Sequence, residues 1–344
     1  MNIKSKKHQK IKPPTILIIR FSSIGDIVLT TPVIRCIKKQ IPGCIIHFLT
    51  KSSYSNVIKN NPYIDEIIEY NQNWDAMISD LKYNNYDYVI DLHHNIRTLK
   101  IKQLLNKESF SFPKLNIQKW LYTSFKINIL PNIHIVDRYF KTVEKLKVKN
   151  DGIGLDFFIN EQEQIKQSDL PTTHLFGYIA IVIGAALETK KMPIDKIKAI
   201  CQQINYPIVL VGGKEDEENG DKIAIIDDTR IYNSCGKFSL AESADIVRKS
   251  KLVITHDTGL MHIAAAFKKP IISIWGNTTP KFGMYPYYGQ IQSSHIAFEI
   301  NDLSCRPCSK IGYRKCPKKH FNCMNLQNTN LIAATAAQWL KELK

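Results

Sequence analysis

No stretch of this 344-residue sequence approaches the roughly 20 consecutive apolar residues of a membrane span. The apolar run at 16–19 is cut short by Arg20, and no small-residue cleavage site follows it, so the basic start does not read as a secretory signal. A soluble, cytoplasmic protein is expected. In that compartment the 8 cysteines should be thiols or metal ligands, not disulfides. Two common phosphate-binding signatures are missing: there is no Gly-x-Gly-x-x-Gly, and Gly25 is not followed by the Lys-Ser or Lys-Thr of a P-loop. No low-complexity tract, short-period repeat or recognised nucleic-acid motif occurs, so a nucleic-acid partner is not expected.

Acids are scarce. Asp and Glu number 31 against 47 Lys and Arg, a formal charge of +16. The excess is concentrated at 1–14, 100–150 and 305–320, and the rest of the chain is slightly acidic. Such stretches attract phosphate-rich partners, among them an anionic membrane face or a phosphorylated lipid. The competing reading is lysine solvated on exposed faces.

What is present is a repeated alternation of short apolar runs with helical spacing. Strands are expected over 15–21, 44–50, 64–70 and 86–92, with helices over 27–40 and 74–84. The pattern restarts with strands over 178–184, 207–213, 251–256 and 270–276 and helices over 194–204, 215–226, 240–250 and 258–267. This predicts an α/β protein of two Rossmann-like doubly wound domains facing across a cleft. The expected division is a basic tail over 1–14, a first domain over 15–160, a second over 161–327 carrying a Cys-rich segment at 305–323, and a C-terminal helix over 328–344. That helix could pack on either domain.

Ligands bind beyond the carboxyl ends of strands in such sheets, so the strand-end loops are the candidate sites. Ser22-Ser23-Ile24-Gly25-Asp26 follows the first strand and opens a helix, aiming Asp26 at the cleft. Asp26 reads equally as a helix cap or a catalytic base. Thr255 to His262 (Thr-His-Asp-Thr-Gly-Leu-Met-His) follows a later strand. There the amides of Thr258, Gly259 and Leu260 and the side chain of His262 can meet a phosphate, with Asp257 as cap. Lys190 or Lys191, ahead of the helix-initiating Pro193, can neutralise a diphosphate, and an acid after Gly212-Gly213 can hold a ribose hydroxyl. His94 and Arg97, after the fourth expected strand, either contact an anionic acceptor or belong to a solvated turn. Cys305, Cys308, Cys316 and Cys323, spaced C-x2-C-x7-C-x6-C, are expected to cluster as packed thiols or as a structural zinc site, with His320 able to replace one ligand.

The stretches 16–32, Lys190-Lys191-Met192-Pro193 and 256–266 make the chain resemble the heptosyltransferases of glycosyltransferase family 9, which build the inner core of lipopolysaccharide. The resemblance implies the GT-B arrangement, with acceptor on the N-terminal domain and donor on the C-terminal one. It implies an inverting reaction that requires no cofactor or catalytic metal, with ADP-heptose as donor and a lipid-linked or lipopolysaccharide-type acceptor. The enzyme would then work in the cytoplasm, with peripheral contact at the inner face of the cytoplasmic membrane. Carried across by position, Asp26 matches the base, Lys190 a donor-phosphate ligand, Thr258, Gly259, Leu260 and His262 the pyrophosphate loop, and Asp257 its orienting acid. Ser22 and Ser23 fall on the acceptor side, and Glu215, with Glu217 next, matches the ribose contact. Met192 departs from the aromatic residue common there. A nucleotide-sugar epimerase on the same scaffold is the rival reading, and it would consume donor without acceptor.

Overall fold

The protein is described here by a computed structural model covering residues 12–342; most of the expected basic tail and residues 343–344 lie outside the described residues. Strand β1 (Thr15–Ile19) is five residues of Thr, Ile and Leu, every one buried. β-branched residues on both faces are what a strand needs when helices cover both sides of its sheet. β2 (Ile45–Lys51), β3 (Glu66–Tyr70), β4 (Tyr88–Asp91) and β5 (Glu108–Ser111) join it, in the order β3-β2-β1-β4-β5. All four pairings are parallel. The helices of this unit are α1 (Ile24–Val28), α2 (Thr31–Gln40), α3 (Trp74–Tyr83), α4 (Ile96–Leu105), α5 (Asn116–Phe125) and α6 (Ile135–Phe140).

The second sheet is also parallel and runs β11-β10-β9-β6-β7-β8. Its strands are β6 (Ile179–Val182), β7 (Ile208–Val211), β8 (Ile231–Asn233), β9 (Leu252–His256), β10 (Ile271–Trp275) and β11 (His295–Glu299). The helices are α7 (Ile194–Gln203), α8 (Glu217–Ala224), α9 (Leu240–Lys249), α10 (Gly259–Ala266), α11 (Asn322–Asn325) and α12 (Thr329–Glu342). α12 buries Ile332, Ala333 and Ala336 and packs on α7, so the C-terminal helix belongs to the second unit.

Strand order reverses between β1 and β4 in the first sheet and between β6 and β9 in the second. A crevice opens at each reversal, because successive crossovers leave to opposite faces there. The loops after β1, β6 and β9 are the ones that carry Asp26, Lys190 and Asp257. The units also share one apolar core: Ile27 and Val28 of α1 belong to the same buried cluster as Val182 of β6 and Met261 of α10.

The structure departs from the sequence expectation in several respects, the first being helices α4, α5 and α6, which were not expected. The helix expected over 27–40 is two helices. The Thr30 hydroxyl bonds the Ile27 carbonyl at 2.6 Å and the Thr31 hydroxyl that of Val28 at 2.7 Å. Pro32, lacking an N–H, starts the second helix in its first turn. Asp26 is thereby placed on a short helix of its own. In addition, β5, β8 and β11 were not expected. β5 is Glu-Ser-Phe-Ser on a partly exposed edge, and such a segment has no apolar run to announce it.

Candidate active site

The two crevices merge into one cavity of about 770 Å³. From the first unit it is lined by Arg20, Ser23 to Asp26, Lys114 and Lys119, and from the second by Lys190, Glu215 and Asp257 to Leu260 with His262. Its waist is a contact between two glycines. A Cβ on Gly25 would lie 2.5 Å from His262 Cδ2 and 3.3 Å from the Gly259 Cα, and one on Gly259 would lie 2.7 Å from Ile24 Cγ2. The N-termini of α1 and α10 therefore meet at a distance only glycine permits.

Asp26 is the third residue of its helical turn. Its Oδ2 accepts from the Ser23 hydroxyl at 2.8 Å and from the Ser23 amide at 3.3 Å. Its Oδ1 pairs with Arg20 Nη2 at 2.7 Å. Burial works to raise the Asp26 pKa, but Arg20 and the Ser23 hydrogen bonds outweigh it and hold the carboxyl below its ordinary range. The group is thus ionised at neutral pH and able to accept a proton. Cap and chemistry are not alternatives, since one oxygen caps the helix turn while the carboxylate faces the cavity.

Arg20 is a cavity residue that the sequence reading passed over. It is buried at the end of β1 and donates through Nε to the Ser22 carbonyl at 2.7 Å and through Nη1 to Tyr139 Oη at 3.1 Å. A charged side chain closing an otherwise apolar strand was the available signal. Ser22 contributes only this carbonyl and does not line the cavity, whereas Ser23 does.

On the facing wall, α10 starts at Thr258 without a side-chain cap. Thr258, Gly259 and Leu260 border the cavity, and first-turn amides left without a cap are free to meet an anion. Asp257 does not cap this helix, contrary to the expectation. It pairs with Lys190 at 2.8 Å and accepts from the Thr278 hydroxyl at 2.9 Å. The reason is reach: Thr258, not Asp257, occupies the cap position.

His262 is buried, and its Nδ1 has no hydrogen-bond partner among the described residues. Burial pushes its pKa down to about 4 against the pull of Asp257 and Asp26. It is a neutral imidazole on the cavity wall, with Nδ1 buried and unbonded among the described residues. His256, at the end of β9, accepts the Met192 amide on Nε2 at 3.0 Å and so ties down the loop that carries Lys190. Met192 is buried in the core of the second unit.

Glu215 lines the cavity wall on an exposed turn. Glu217 is taken up by an ion pair with Lys214. Asp216, which the sequence reading did not single out, is buried beneath them and pairs with Lys191 at 2.9 Å.

His94 and Arg97 do not line the cavity. His94 has its Nδ1 on the Phe112 carbonyl at 2.8 Å, and Arg97 lies over the Tyr70 ring at 5.9 Å. β5, absent from the expected topology, pairs with β4 outside them, and the chain returning from it supplies the wall instead. That wall carries Lys114 and Lys119, joined by Lys310 from the Cys-rich segment of the second unit. Burial, together with neighbouring Arg138, Lys310 and Lys114, pushes the Lys119 pKa down to about 7.

Cys305, Cys308, Cys316 and Cys323 are free thiols around a separate cavity of about 310 Å³, with His320. Cys305 Sγ and His320 Nε2 are 3.8 Å apart. Among the described residues no group of three or more His, Cys, Asp or Glu side chains is arranged to hold a metal ion. Burial pushes the Cys323 thiol up to about 12, as befits a packed neutral group. The clustering is therefore as expected, and the zinc reading gains no geometric support.

Comparison with known proteins bears on the whole arrangement. A lipopolysaccharide heptosyltransferase 1 from Campylobacter coli is 26% identical over 292 residues, 76% of this chain and 84% of that protein. Another from Pseudomonas aeruginosa is 23% identical, covering 86% of each chain. Among solved structures, a glycosyltransferase family 9 protein from Veillonella parvula superposes with a TM-score of 0.74 at 23% identity, covering 97% of this chain and 99% of that one. An Escherichia coli heptosyltransferase solved with ADP gives 0.67 at 20% identity, covering 96% and 100%. These likenesses establish the GT-B fold. The profile of glycosyltransferase family 9 (heptosyltransferase) matches residues 74–318, well over half of the sequence, and the chain belongs to that family of glycosyltransferases.

Proposed function

We propose that the protein transfers heptose from ADP-heptose to an acceptor of the lipopolysaccharide core, with inversion and without a catalytic metal. The observation that carries this is the apposition across one cavity of an ionised carboxylate, Asp26, and an uncapped helix N-terminus beside Lys190. The donor diphosphate lies on the α10 amides with Lys190, and Glu215 meets the ribose. The acceptor hydroxyl enters from the Lys114–Lys119 wall. Asp26 accepts its proton as the oxygen reaches the anomeric carbon. The carbon–oxygen bond to the diphosphate breaks, and the charge left behind is met by Lys190, helix dipole and the His262 imidazole. Relatives named for lipopolysaccharide and structures solved with ADP and with an ADP-heptose analogue support the choice of donor and acceptor class. No helix among the described residues is long and apolar enough to cross a membrane, and we place the reaction at the cytoplasmic side of one.

The test is release of nucleoside diphosphate from a panel of nucleotide sugars with and without a core acceptor. Acceptor-dependent release from ADP-heptose supports the reading. Donor consumption that ignores the acceptor restores the epimerase.

A further inference from the structure

Helix α5 is anomalous. Its ten residues, Asn-Ile-Gln-Lys-Trp-Leu-Tyr-Thr-Ser-Phe, bury none of their side chains. Ile117 is 71% exposed, Trp120 53% and Phe125 59%, and Ile127 and Ile129 continue the patch just beyond the helix. The Trp120 and Phe125 rings meet edge to face at 5.2 Å, so the apolar face is one continuous surface. A ten-residue helix without burial has little stability of its own. Here it is held from its other sides. Tyr122 lies against Phe282 at 6.2 Å, and Lys126 donates to the carbonyls of Cys305 at 3.1 Å and Pro307 at 2.8 Å. The apolar face is thus presented on a scaffold instead of being packed away.

Its chemistry is one-sided. Residues 109–136 contain no acid, Lys126 stands exposed beside the patch, and Lys114, Lys119 and Lys310 line the mouth of the adjoining cavity, Lys310 approaching Asn116 at 3.5 Å. Exposed Trp, Phe and Ile on a segment that carries lysine and no acid of its own suit the interface of an anionic bilayer. The apolar side chains enter the acyl boundary while the exposed Lys126 and Lys310 lie at the level of the headgroups. A protein partner of ordinary mixed charge would leave these lysines without systematic counter-charges.

We infer that α5 and residues 126–129 form an interfacial anchor that docks this enzyme on an anionic phospholipid surface. The same helix supplies Asn116 and Lys119 to the cavity wall. Docking therefore turns the acceptor side of the cavity toward the bilayer, and a sugar carried on a lipid reaches Asp26 without leaving it. The anchor itself does not depend on which sugar is transferred; only its use for a lipid-borne acceptor rests on the function proposed above.

The test is flotation of the full chain with phosphatidylcholine vesicles that contain a minority of phosphatidylglycerol, with no donor or acceptor present. Wild type is expected to float, less so as salt rises and less with phosphatidylcholine alone. The variant Ile117→Ser/Trp120→Ser/Phe125→Ser should bind vesicles about tenfold more weakly or worse, because each serine removes apolar surface from the lipid. Its affinity for ADP should be unchanged, since none of the three residues lines the cavity. A blue shift of emission on vesicles, present in wild type and diminished in Trp120→Phe, locates the contact. Unaltered flotation of the triple variant, an unaltered blue shift in Trp120→Phe, or wild type that ignores vesicles and instead self-associates through this face overturns the proposal. Acceptor-dependent ADP release with detergent-dispersed acceptor, measured on the same proteins, keeps the two questions apart. Flotation without turnover refutes the transferase reading alone, and turnover without flotation refutes the anchor alone.

Discussion

Replacing Asp26 by Asn removes a charge and keeps the shape, and it should separate the two duties of this carboxylate. As a base, its loss is expected to lower turnover about 10²–10⁴-fold. As the counter-ion of Arg20, its loss leaves a buried guanidinium with hydrogen bonds only to neutral groups, the Ser22 and Leu92 carbonyls and Tyr139. Breaking one side of a buried pair costs about 3–5 kcal/mol. The Asp26 side chain is 21% exposed, and Asn can still accept from Ser23, so the lower end applies here. A fall in melting temperature of several degrees follows for a chain of this size. Donor affinity should change little, because the α10 amides and Lys190 stand on the other wall. Calorimetric titration with ADP, thermal unfolding and acceptor-dependent release of ADP read these three quantities separately. Near-normal turnover in a folded Asp26→Asn protein would refute the assignment of the base. Loss of ADP affinity as large as the loss of turnover would place the donor on the wrong wall.

Lys190→Ala and His262→Ala are each expected to weaken ADP binding, Lys190→Ala by about tenfold to a hundredfold as for a hydrogen bond to a charged group; unchanged affinity in both moves the diphosphate elsewhere. Gly25→Ala forces a Cβ to within 2.5 Å of His262 Cδ2 and should destabilise by about 1–3 kcal/mol while lowering turnover, which thermal unfolding and the release assay together would check. Stability should fall with acid over a defined window. His256 and His262 are held down to about 4 and His134 to about 3, below the ordinary 6.5, so the unfolded chain binds these protons first. Their contribution is whole above about pH 6.5 and is lost as pH falls toward 4, at up to about 1.4 kcal/mol per pH unit for each histidine. A flat stability profile between pH 6.5 and 4 would contradict their neutral burial.

What could be read in the sequence was whatever burial on both faces had written there. β1 and β9 are continuous apolar runs closed by a polar turn, and both the strands and the loops after them follow from that pattern. Asp26, Lys190 and the 257–262 loop were placed correctly at the cavity for the same reason. The acceptor wall was not legible. It depends on β5, a short edge strand with no apolar run, and on Lys310, which arrives from the other unit 194 residues away from the Asn116 it approaches. Local spacing carries no trace of such a contact. For His94 and Arg97 the sequence leaves an acceptor contact and a capped turn open, and the structure has the turn: His94 has φ 52°, Asn95 caps α4, and the His94 ring lies on the Phe112 carbonyl. The capping expected of Asp257 fails because Thr258 takes the cap position of α10, and the carboxylate instead pairs with the Lys190 ammonium at 2.8 Å.

That last exchange ties the site together. Each wall holds a cation on a carboxylate: Arg20 on Asp26 and Lys190 on Asp257. If Lys190 serves the diphosphate, binding must draw its ammonium from Asp257 onto phosphate. Asp257 then falls back on the Thr278 hydroxyl it already accepts at 2.9 Å, so the carboxylate is not stranded. Between the walls stands His262, within the field of both Asp26 and Asp257 and with Nδ1 unpartnered. A diphosphate arriving beside it adds negative charge and raises its tendency to hold a second proton. On the function proposed above, His262 is then a proton site that burial alone keeps neutral and a bound phosphate would favour charging. The closed glycine contact at Gly25 and Gly259 keeps that site within reach of both walls.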